Sequence, residues 1–312
     1  MNKNKTELEN LLNVRSALLN ATRSFFNQNF GLEVTTPVVV DITGSCENID
    51  TLFKLPFFGK TKYLSQTGQL HLEYLVKTMN KKCWTIARSF RAEPEVDDRH
   101  LREFSLIEFE GIGLKLKDIM SVQEQFIIYV IKSLLATCHD SLKALGADIE
   151  YLKGIKQPFR CITYSEAIEI LNNKLGFSLN YGDNLSSSEE TALLGYFKNQ
   201  PVFVTTFPTS IKFFNMKRLE SGKDVYSVDL LLPPLGEASG GAEREENLEY
   251  IKRNLTESSM YKHLSNVGAK IEDFDWYFDL FKNNSCSTGG AGVGFERLIS
   301  FLLKRQEIGK CM

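Results

Sequence analysis

The 312-residue sequence predicts an α+β fold in which helices flank a mostly antiparallel β-sheet. Its helical and strand-like segments are mixed, without the regular βαβ alternation that a doubly wound parallel sheet requires. Two strand-like runs, residues 83–93 and 103–110, flank a polar loop and predict a β-hairpin. The sequence contains no internal repeat and no low-complexity linker, so residues 1–312 are expected to form a single domain.

Helix and strand signals follow one another along the first half of the chain. Thr6 and Glu9 form a capping box for a helix that Gly31 is expected to end. The run "LEVTTPVVV" then predicts a strand that ends at a proline-marked edge. The chain is expected to become helical again from Gly68, and residues 117–145 predict one long amphipathic helix.

The second half combines short helices with β-rich runs. The segment "SEAIEILNNKLGF" predicts a helix closed by Gly176, and "EENLEYIKRNL" predicts another helix. The runs "PVFVTTFP" and "VYSVDLLLPPLGEASGG" are β-rich, and residues 180–200 are expected to be a polar loop before a helix. The segment "GGAGVGFERLISFLLKR" predicts a glycine turn that leads into a helix.

Composition excludes several classes of protein. The net charge of −2 argues against nucleic acid as the main partner, although a local basic patch remains possible. The six cysteines form no CxxC motif, which indicates reduced thiols and not a zinc site or a disulfide framework. The most apolar helical run, "FIIYVIKSLLATC", is interrupted by Lys132 and is expected to be too short to span a bilayer. We therefore expect a cytoplasmic protein without a membrane partner.

The hairpin "FRAEPEVDDRHLREFSLIEFE" carries more charge than a structural turn needs. Alternate residues of a strand share a face, so Arg91 and Glu93 are expected to point the same way. A guanidinium group can bind phosphate or carboxylate with two hydrogen bonds, and the ring of Phe104 offers a stacking surface for a base. Arg99 and His100 in the loop can reach further along a polyphosphate. A solvated, salt-bridged hairpin is the alternative interpretation.

The glycine segment "GGAGVGFER" is a weak signal by itself. It lacks the GxxxxGK[ST] pattern of a phosphate loop, and Gly290, Gly292 and Gly294 do not form GxGxxG. The glycines are expected to let a strand and a helix approach closely, with Glu296 and Arg297 at the start of the helix. A plain glycine-rich turn is the alternative.

Taken together, these segments resemble the catalytic core of class II aminoacyl-tRNA synthetases. The runs "FGLEVTTPVVV", "FRAE…RHLREFSLIEFE" and "GVGFERL" resemble the three motifs of that class, in order. Within the class, the chain is most similar to asparaginyl-tRNA synthetases through "TGSCEN", "LSQTGQLHLE", "PVFVTTFPTSIKFF" and "VDLLLPPLGEASGGAEREE". The resemblance runs from about Glu9 to Arg305, and it implies the class II antiparallel sheet flanked by helices.

The resemblance implies that the hairpin binds ATP and that ATP is a substrate. Arg91 would hold the α-phosphate and the reacting carboxylate, and Arg99 and His100 would bind the β- and γ-phosphates. The amino acid carboxylate would attack the α-phosphorus, which yields an aminoacyl-adenylate and pyrophosphate without a protein nucleophile. Arg91 and Arg297 would therefore be the catalytic residues, because they neutralise developing phosphate charge.

The adenine and metal sites are implied in the same way. Glu93 would contact the adenine amino group, while Phe104 and Arg297 would stack on the two faces of the base. Asp229 and Glu237 would hold Mg²⁺, a hard cation that prefers oxygen ligands. An ordinary acidic pair is the alternative interpretation of these two carboxylates.

The resemblance also implies an amino acid pocket. Its expected members are Glu47, Gln69, Leu72, Glu73, Ser239 and Arg244. Glu47 and Gln69 would bind the α-amino group, Arg244 would face the side-chain oxygen, and Ser239 would line the pocket. Aspartate-activating relatives have lysine at the position of Leu72. Because this chain has Leu72 and Glu73 there, an amide is expected in the pocket, although the choice between aspartate and asparagine remains open.

The acceptor is expected to be ammonia or a small amine, as in archaeal asparagine synthetase-like relatives. Asparaginyl-tRNA synthetases carry an N-terminal OB-fold that reads the anticodon, and we expect this protein to lack it. The hairpin loop also holds Glu95, Asp97 and Asp98, which suit a polyanion poorly. One alternative is aminoacylation of tRNA or of a protein amine. Another is a non-catalytic synthetase paralogue.

Two departures from the family pattern accompany these expectations. "KFFNM" has Asn215 where a tyrosine is usual, and "STGG", Ser287 to Gly290, replaces "PHSG". The asparagine synthetase-like relatives also lack that histidine. The first motif lies at the dimer interface of the class, so a homodimer is expected.

Overall fold

The computed structural model of the protein describes residues 2–42, 51–94, 98–266, 269–282 and 286–312. The helices in these ranges are α1 (Asn2–Asn29), α2 (Gln69–Met79), α3 (Leu116–Thr137), α4 (His139–Ala144), α5 (Ile149–Gly154), α6 (Tyr164–Leu175), α7 (Ser187–Tyr196), α8 (Leu248–Glu257), α9 (Ser259–Asn266), α10 (Asp275–Lys282) and α11 (Phe295–Leu303). The strands are β1 (Leu32–Glu33), β2 (Val39–Val40), β3 (Lys54–Phe57), β4 (Lys60–Leu64), β5 (Cys83–Phe90), β6 (Glu103–Ile112), β7 (Arg160–Thr163), β8 (Val202–Thr205), β9 (Ser227–Leu232), β10 (Gly236–Glu243) and β11 (Thr288–Gly294).

Eight of these strands form one sheet in the order β1-β5-β6-β11-β10-β9-β8-β7. The β1–β5 and β7–β8 pairs are parallel, and the other neighbours are antiparallel. A second sheet has the order β2-β4-β3. The predicted α+β fold with a mostly antiparallel sheet flanked by helices is therefore confirmed.

The main core lies between the large sheet and helices α1 and α3. Phe26 of α1 stacks on Trp84 of β5 with ring centroids 5.2 Å apart, and it contacts Phe126 of α3 at 5.0 Å. All three side chains are fully buried. Because burial of each such side chain stabilises the fold by roughly 2–3 kcal/mol, this layer fixes the sheet on which the site is built.

The hairpin is confirmed, and its strands are β5 and β6, with Ser89 opposite Phe104. The glycine segment, in contrast, is a strand and not a turn. β11 lies between β6 and β10, so its backbone groups bond on both sides. A Cβ atom on Gly290 would lie 2.1 Å from the Phe109 carbonyl oxygen and 2.1 Å from Glu110 Oε2. Only glycine permits this close approach.

Three other predicted boundaries differ from the structure. The long helix predicted over residues 117–145 is interrupted at Cys138, whose φ of −141° is not helical. Residues 180–200 contain helix α7, which Ser186 caps by accepting a hydrogen bond from the Ser188 amide. Helix α1 begins at Asn2, before the predicted capping box.

Helix α3 is long and apolar enough to cross a membrane by length and composition alone, and it is the one such helix in the described residues. The expectation that this apolar run is too short is wrong, because the helix begins upstream at Leu116 and has 22 residues. A core helix passes the same test. Phe126, Val130 and Leu134 of α3 are buried in the main core.

Candidate active site

An open cavity of about 500 Å³ lies over the centre of the large sheet, which is within the usual size range of small-molecule sites. It is bounded by the hairpin, by strands β9 to β11 and by helices α7 and α11. The predicted site residues in its lining are Gln69, Arg91, Arg99, His100, Phe104, Asp229, Glu237, Ser239, Arg244 and Arg297. The fold thus brings together residues that are more than two hundred positions apart.

Three predicted site residues in the described part of the chain are not in this lining, and a fourth cannot be placed. Glu47 lies outside the described residues. Glu93 is half-buried outside the cavity wall, and its carbonyl oxygen accepts a hydrogen bond from Arg102 Nε at 3.0 Å. Leu72 is fully buried in a small apolar cluster beneath α2, so the structure does not bring it to the cavity. Glu73, which is also fully buried, lies behind the cavity wall.

Arg91 and Phe104 face each other at the open end of the hairpin. The guanidinium carbon of Arg91 lies 5.2 Å from the centroid of the Phe104 ring. Arg91 Nε is buried and has no hydrogen-bond partner in the described chain. A buried donor without a partner is costly, so this geometry leaves a position for an acceptor such as a phosphate oxygen.

Three guanidinium groups and two carboxylates converge at one end of the cavity and form an arginine cluster, which comprises Arg91, Arg99, Arg297, Glu190 and Glu237. Arg297 of α11 donates a hydrogen bond to the Glu237 carbonyl oxygen. Burial lowers the pKa of Arg297; Glu237 and Glu190 oppose the shift, and the nearby positive charges of Arg99 and Arg91 reinforce it. Arginine stays charged at neutral pH, so the cluster presents fixed positive charge to an anion.

Glu190 of α7 is a member of this cluster that the sequence did not predict. Its Oε2 atom accepts hydrogen bonds from Arg99 at 2.6 Å and from the Glu237 amide at 3.1 Å. Burial raises the pKa of Glu190 to about 7, Glu237 adds to the shift, and Arg99 opposes it. The run "SSSEE" is a signal for the start of α7, but the position of Glu190 against β10 depends on tertiary packing.

Asp229 of β9 and Glu237 of β10 meet above Gly240. Asp229 Oδ1 and Glu237 Oε1 lie 3.4 and 3.2 Å from the position that a Cβ atom on Gly240 would occupy. Lys212 Nζ binds both Asp229 oxygens, at 3.0 and 2.7 Å. In the described residues, no group of three or more His, Cys, Asp or Glu side chains has an arrangement that could hold a metal ion by itself. Two carboxylates are nevertheless the set that Mg²⁺ uses when phosphates and water complete its coordination, so the residues present fit the ion.

The inner end of the cavity is built around Arg244. Its guanidinium group pairs with Glu110 of β6 at 3.2 Å and donates to the Gly290 carbonyl oxygen at 3.2 Å. Gln69 donates to the same Glu110 carboxylate at 2.6 Å. Glu110 was missed from the sequence because nothing in "IEFE" separates a buried ion-pair partner from the other acids of the strand.

Glu73 adds a second buried carboxylate beside Arg244. It accepts hydrogen bonds from the Tyr277 hydroxyl at 2.8 Å and from Thr288 Oγ1 at 3.4 Å. Burial raises the pKa of Glu73 to about 7, and the charge of Glu110 adds to this effect. Lys77, Arg244 and the Tyr277 hydrogen bond act in the opposite direction.

Glu108 lines the cavity between these two ends. Its carboxylate accepts hydrogen bonds from the Thr67 hydroxyl and from the Gly68 amide, the latter at 2.9 Å. Burial raises the pKa of Glu108 to about 7, against the two hydrogen bonds and the charge of Arg244. Glu108 was given no role by the sequence, although it lies on the predicted return strand of the hairpin. The structure adds it to the site.

Comparison with known proteins identifies the class of this fold and site. A sequence model of the family "tRNA synthetases class II (D, K and N)" matches residues 1–312, and the chain belongs to that family. The asparagine–tRNA ligase of Thermococcus gammatolerans is 35% identical over 304 residues, which are 97% of this chain and 67% of that protein. The enzyme of the same name from Desulforamulus reducens is 34% identical over 300 residues, 96% of this chain and 67% of that protein.

Solved structures agree with this family. Asparaginyl-tRNA synthetase from Pyrococcus horikoshii, complexed with asparaginyl-adenylate, has a TM-score of 0.89 and 33% identity over 98% of this chain and 68% of its own. The Entamoeba histolytica enzyme with asparaginyl-adenylate has a TM-score of 0.85 and 28% identity over 97% of this chain and 66% of its own. Aspartyl-tRNA synthetase from the same organism, at 22% identity and a TM-score of 0.76, shares the fold.

The comparisons confirm the predicted family and reaction type but do not support the predicted acceptor. The resemblance to class II synthetases, and to asparaginyl-tRNA synthetases within them, is confirmed. The prediction of an AMP-forming ligase of the aminoacyl-adenylate type is confirmed with it. The relatives are tRNA ligases, so the expected ammonia or amine acceptor finds no support, and the alternative acceptor, tRNA, is favoured.

Proposed function

We propose that the chain activates asparagine with ATP and transfers the asparaginyl group to tRNA. The observation that carries the choice of asparagine is the charge of the inner pocket. Arg244 is already paired with Glu110, and Glu73 places a further carboxylate beside it. Lys77 and Arg244 together offset these two acids, so the pocket has no surplus positive charge for the second carboxylate of aspartate. A neutral carboxamide suits such a pocket better.

In the proposed first step, a carboxylate oxygen of asparagine attacks the α-phosphorus of ATP. The bond between this phosphorus and the oxygen that leads to the β-phosphate breaks, and pyrophosphate leaves. Arg91 and Arg297 would stabilise the charge that builds up on the α-phosphate, while Arg99 and His100 would bind the leaving end. Phe104 would stack on the adenine ring.

The amino acid would be held by groups between the two ends of the cavity. The carboxylate of Glu108 and the amide of Gln69 would bind the α-ammonium group. Ser239 Oγ is buried and has no hydrogen-bond partner in the described chain, so it would serve as a further contact to the substrate. The roles of Glu47 at the α-amino group and of Glu93 at the adenine amino group stay predictions from the sequence.

Asp229 and Glu237 are the residues that would hold Mg²⁺. When bound there, the ion would neutralise phosphate charge and help to orient the triphosphate. Lys212 already neutralises part of the Asp229 charge, which is consistent with a site that binds its ion together with the nucleotide and not alone.

The proposal also includes the domain organisation, oligomeric state and cellular location of the protein. Residues 1–312 are taken as one catalytic domain, and a homodimer and a cytoplasmic location are expected. The described cysteines Cys83, Cys138, Cys161 and Cys311 are free thiols, which is consistent with a reducing compartment.

ATP–pyrophosphate exchange with each of the twenty amino acids tests the first step. Asparagine should support exchange, and Arg297→Ala should abolish it, because this change removes a cation that both stacks and binds phosphate. Exchange close to normal in Arg297→Ala, or exchange with aspartate alone, would contradict the proposal.

The second step is tested by acceptor competition with radiolabelled asparagine. Label that becomes bound to tRNA supports the proposed acceptor. Release of AMP that depends on ammonia and is indifferent to tRNA would instead support transfer of the aminoacyl group to an amine. Binding of asparagine and ATP without any exchange would indicate a non-catalytic paralogue.

A further inference from the structure

Helix α10 packs directly against helix α2, behind the amino acid pocket. The ring of Trp276 stacks on His71 with centroids 4.8 Å apart. Lys77 Nζ lies 4.4 Å from the centroid of the Phe281 ring. These two contacts flank Tyr277 on α10 and hold it against α2. The position of Tyr277 is therefore fixed by packing on both sides.

The Tyr277 hydroxyl forms a fully buried hydrogen bond with the carboxylate of Glu73. The hydroxyl donates to Glu73 Oε2 at 2.8 Å, and both residues have 0% exposure. Thr288 reaches the other oxygen, Oε1, at the longer distance of 3.4 Å. The Tyr277 hydrogen bond is thus the shorter of the two that stabilise the ionised form of Glu73.

We propose that Tyr277 is a positioning residue that sets the charge of the amino acid pocket. By donating to Glu73, it keeps that carboxylate ionised beside Arg244, and the pocket then selects a neutral carboxamide over a second carboxylate. Tyr277 acts through Glu73 and Arg244 and does not line the cavity itself. The inference rests on the proposed activation of asparagine and names the device that makes it selective.

Electrostatics supports this assignment. The groups that face Glu73 are Glu110 of β6, Lys77 of α2, Arg244 after β10, Tyr277 of α10 and Thr288 of β11. Of these, Tyr277 is neutral, so its loss removes a hydrogen bond without changing the formal charge of the site. Loss of that bond disfavours the ionised carboxylate and raises the pKa of Glu73 further above its ordinary value. A protonated Glu73 would leave Arg244 less compensated and therefore more tolerant of aspartate.

The test compares Tyr277→Phe with the unchanged protein in ATP–pyrophosphate exchange between pH 6 and 9. Near pH 7.5 the ratio of kcat/KM for asparagine to that for aspartate should fall about tenfold, the usual effect of one hydrogen bond to a charged group. The pH midpoint at which selectivity appears should move upward, and the KM for ATP should stay constant. Glu73→Gln should be weakly selective at every pH.

Tyr164→Phe is the matched control. Tyr164 is equally buried, and its hydroxyl donates to the Asp183 carbonyl oxygen at 2.7 Å, outside the cavity lining. This variant should keep both the selectivity and the pH midpoint. An unchanged ratio and midpoint in Tyr277→Phe would overturn the inference. If Tyr277→Phe does not fold, Thr288→Val should lower the selectivity ratio and raise the pH midpoint by smaller amounts. No shift in Thr288→Val would then count against the inference.

A second measurement separates this inference from the proposed function. ¹³C NMR of labelled glutamate carboxyl groups, with Glu73→Gln to assign the signal, reports the titration of Glu73 without any substrate. If the unchanged protein does not activate asparagine, the proposed function fails. A higher Glu73 midpoint in Tyr277→Phe would then still support the role of Tyr277, and an unchanged midpoint would overturn it.

Discussion

The guanidinium group of Arg91 lies over the ring of Phe104, with 5.2 Å between its central carbon and the ring centroid. The two residues come from the facing ends of one hairpin, so the hairpin brings together the cation proposed to bind phosphate and the ring proposed to stack on the base. Because the ring is expected to contact the nucleotide and not the amino acid, nucleotide binding and amino acid binding can be weakened separately. Loss of the ring should affect the nucleotide and leave the amino acid pocket intact.

Phe104→Leu should raise the KM for ATP about tenfold and leave the KM for asparagine nearly unchanged, because base–aromatic stacking contributes about 1–3 kcal/mol. ATP–pyrophosphate exchange at varied ATP concentration measures this effect. Phe57→Leu is the control, since Phe57 is exposed on the β3–β4 hairpin outside the cavity lining. Equal KM values for ATP in Phe104→Leu and the unchanged protein would remove Phe104 from the site.

Glu108→Gln should make the protein more stable at high pH and poorer at binding asparagine. Burial raises the pKa of Glu108 from 4.5 to about 7, so its contribution to stability is complete below pH 4.5 and is lost as the pH rises through 7. A glutamine side chain does not ionise, so the variant keeps this stability at pH 8. Its free energy of unfolding at that pH should exceed that of the unchanged protein by up to about 3 kcal/mol.

Urea denaturation at pH 4.5 and pH 8 checks the Glu108 prediction. The two proteins should differ little at the lower pH. Glu150→Gln is a suitable control because Glu150 is exposed on α5, where its side chain is 83% accessible, and no change between the two pH values is expected. A variant that is less stable at pH 8 would mean that the ionised carboxylate stabilises the fold.

Leu72→Lys should destabilise the protein and not redirect it to aspartate. Leu72 has 0% exposure and packs with Val76 and Cys83, so a lysine there would bury a charge without a partner, at a cost of roughly 3 kcal/mol or more. Thermal unfolding combined with exchange assays distinguishes the two outcomes. A stable variant that prefers aspartate would show that the side chain at position 72 reaches the substrate.

The apolar surface around α1 and the first two strands should form the dimer interface. Leu8, Leu12, Leu32, Val38 and Val39 are large apolar side chains that are 39–53% exposed in the single chain. Val39→Asp should convert a dimer into a monomer, as measured by light scattering at several concentrations. Tyr250→Asp, on the exposed face of α8, should have no effect. A monomeric unchanged protein would refute the expected homodimer.

The hairpin and the three family motifs were predictable because their chemistry is local. Charged residues at strand spacing, with an aromatic residue on the return strand, allowed an anion and base site, and the three motifs together favoured it over a salt-bridged hairpin. Ten of the predicted site residues accordingly line one cavity. Sequence spacing also identified Gly176 as the end of α6, where its φ of 78° confirms the left-handed conformation.

What the sequence could not supply are contacts made by packing between distant segments. Glu190 belongs to a polar run and reaches the arginine cluster only because α7 packs on β10. Tyr277 lies 204 positions from Glu73, and nothing in "DWYFDL" indicates that its hydroxyl meets a carboxylate. The position of Leu72 outside the cavity lining has the same origin, since adjacent residues on a helix point in different directions and only the fold decides which of them approaches the cavity.

The glycine strand β11 has an evolutionary consequence. Every single-nucleotide change in a glycine codon that substitutes another amino acid introduces at least a Cβ atom. At Gly290 that atom would collide with the backbone of β6, which cannot move without disturbing the sheet under the substrate. No amino acid substitution at Gly290 is therefore selectively neutral. A descendant of this gene that had lost its catalytic role would no longer need this sheet geometry, and a substitution at Gly290 would then be tolerated.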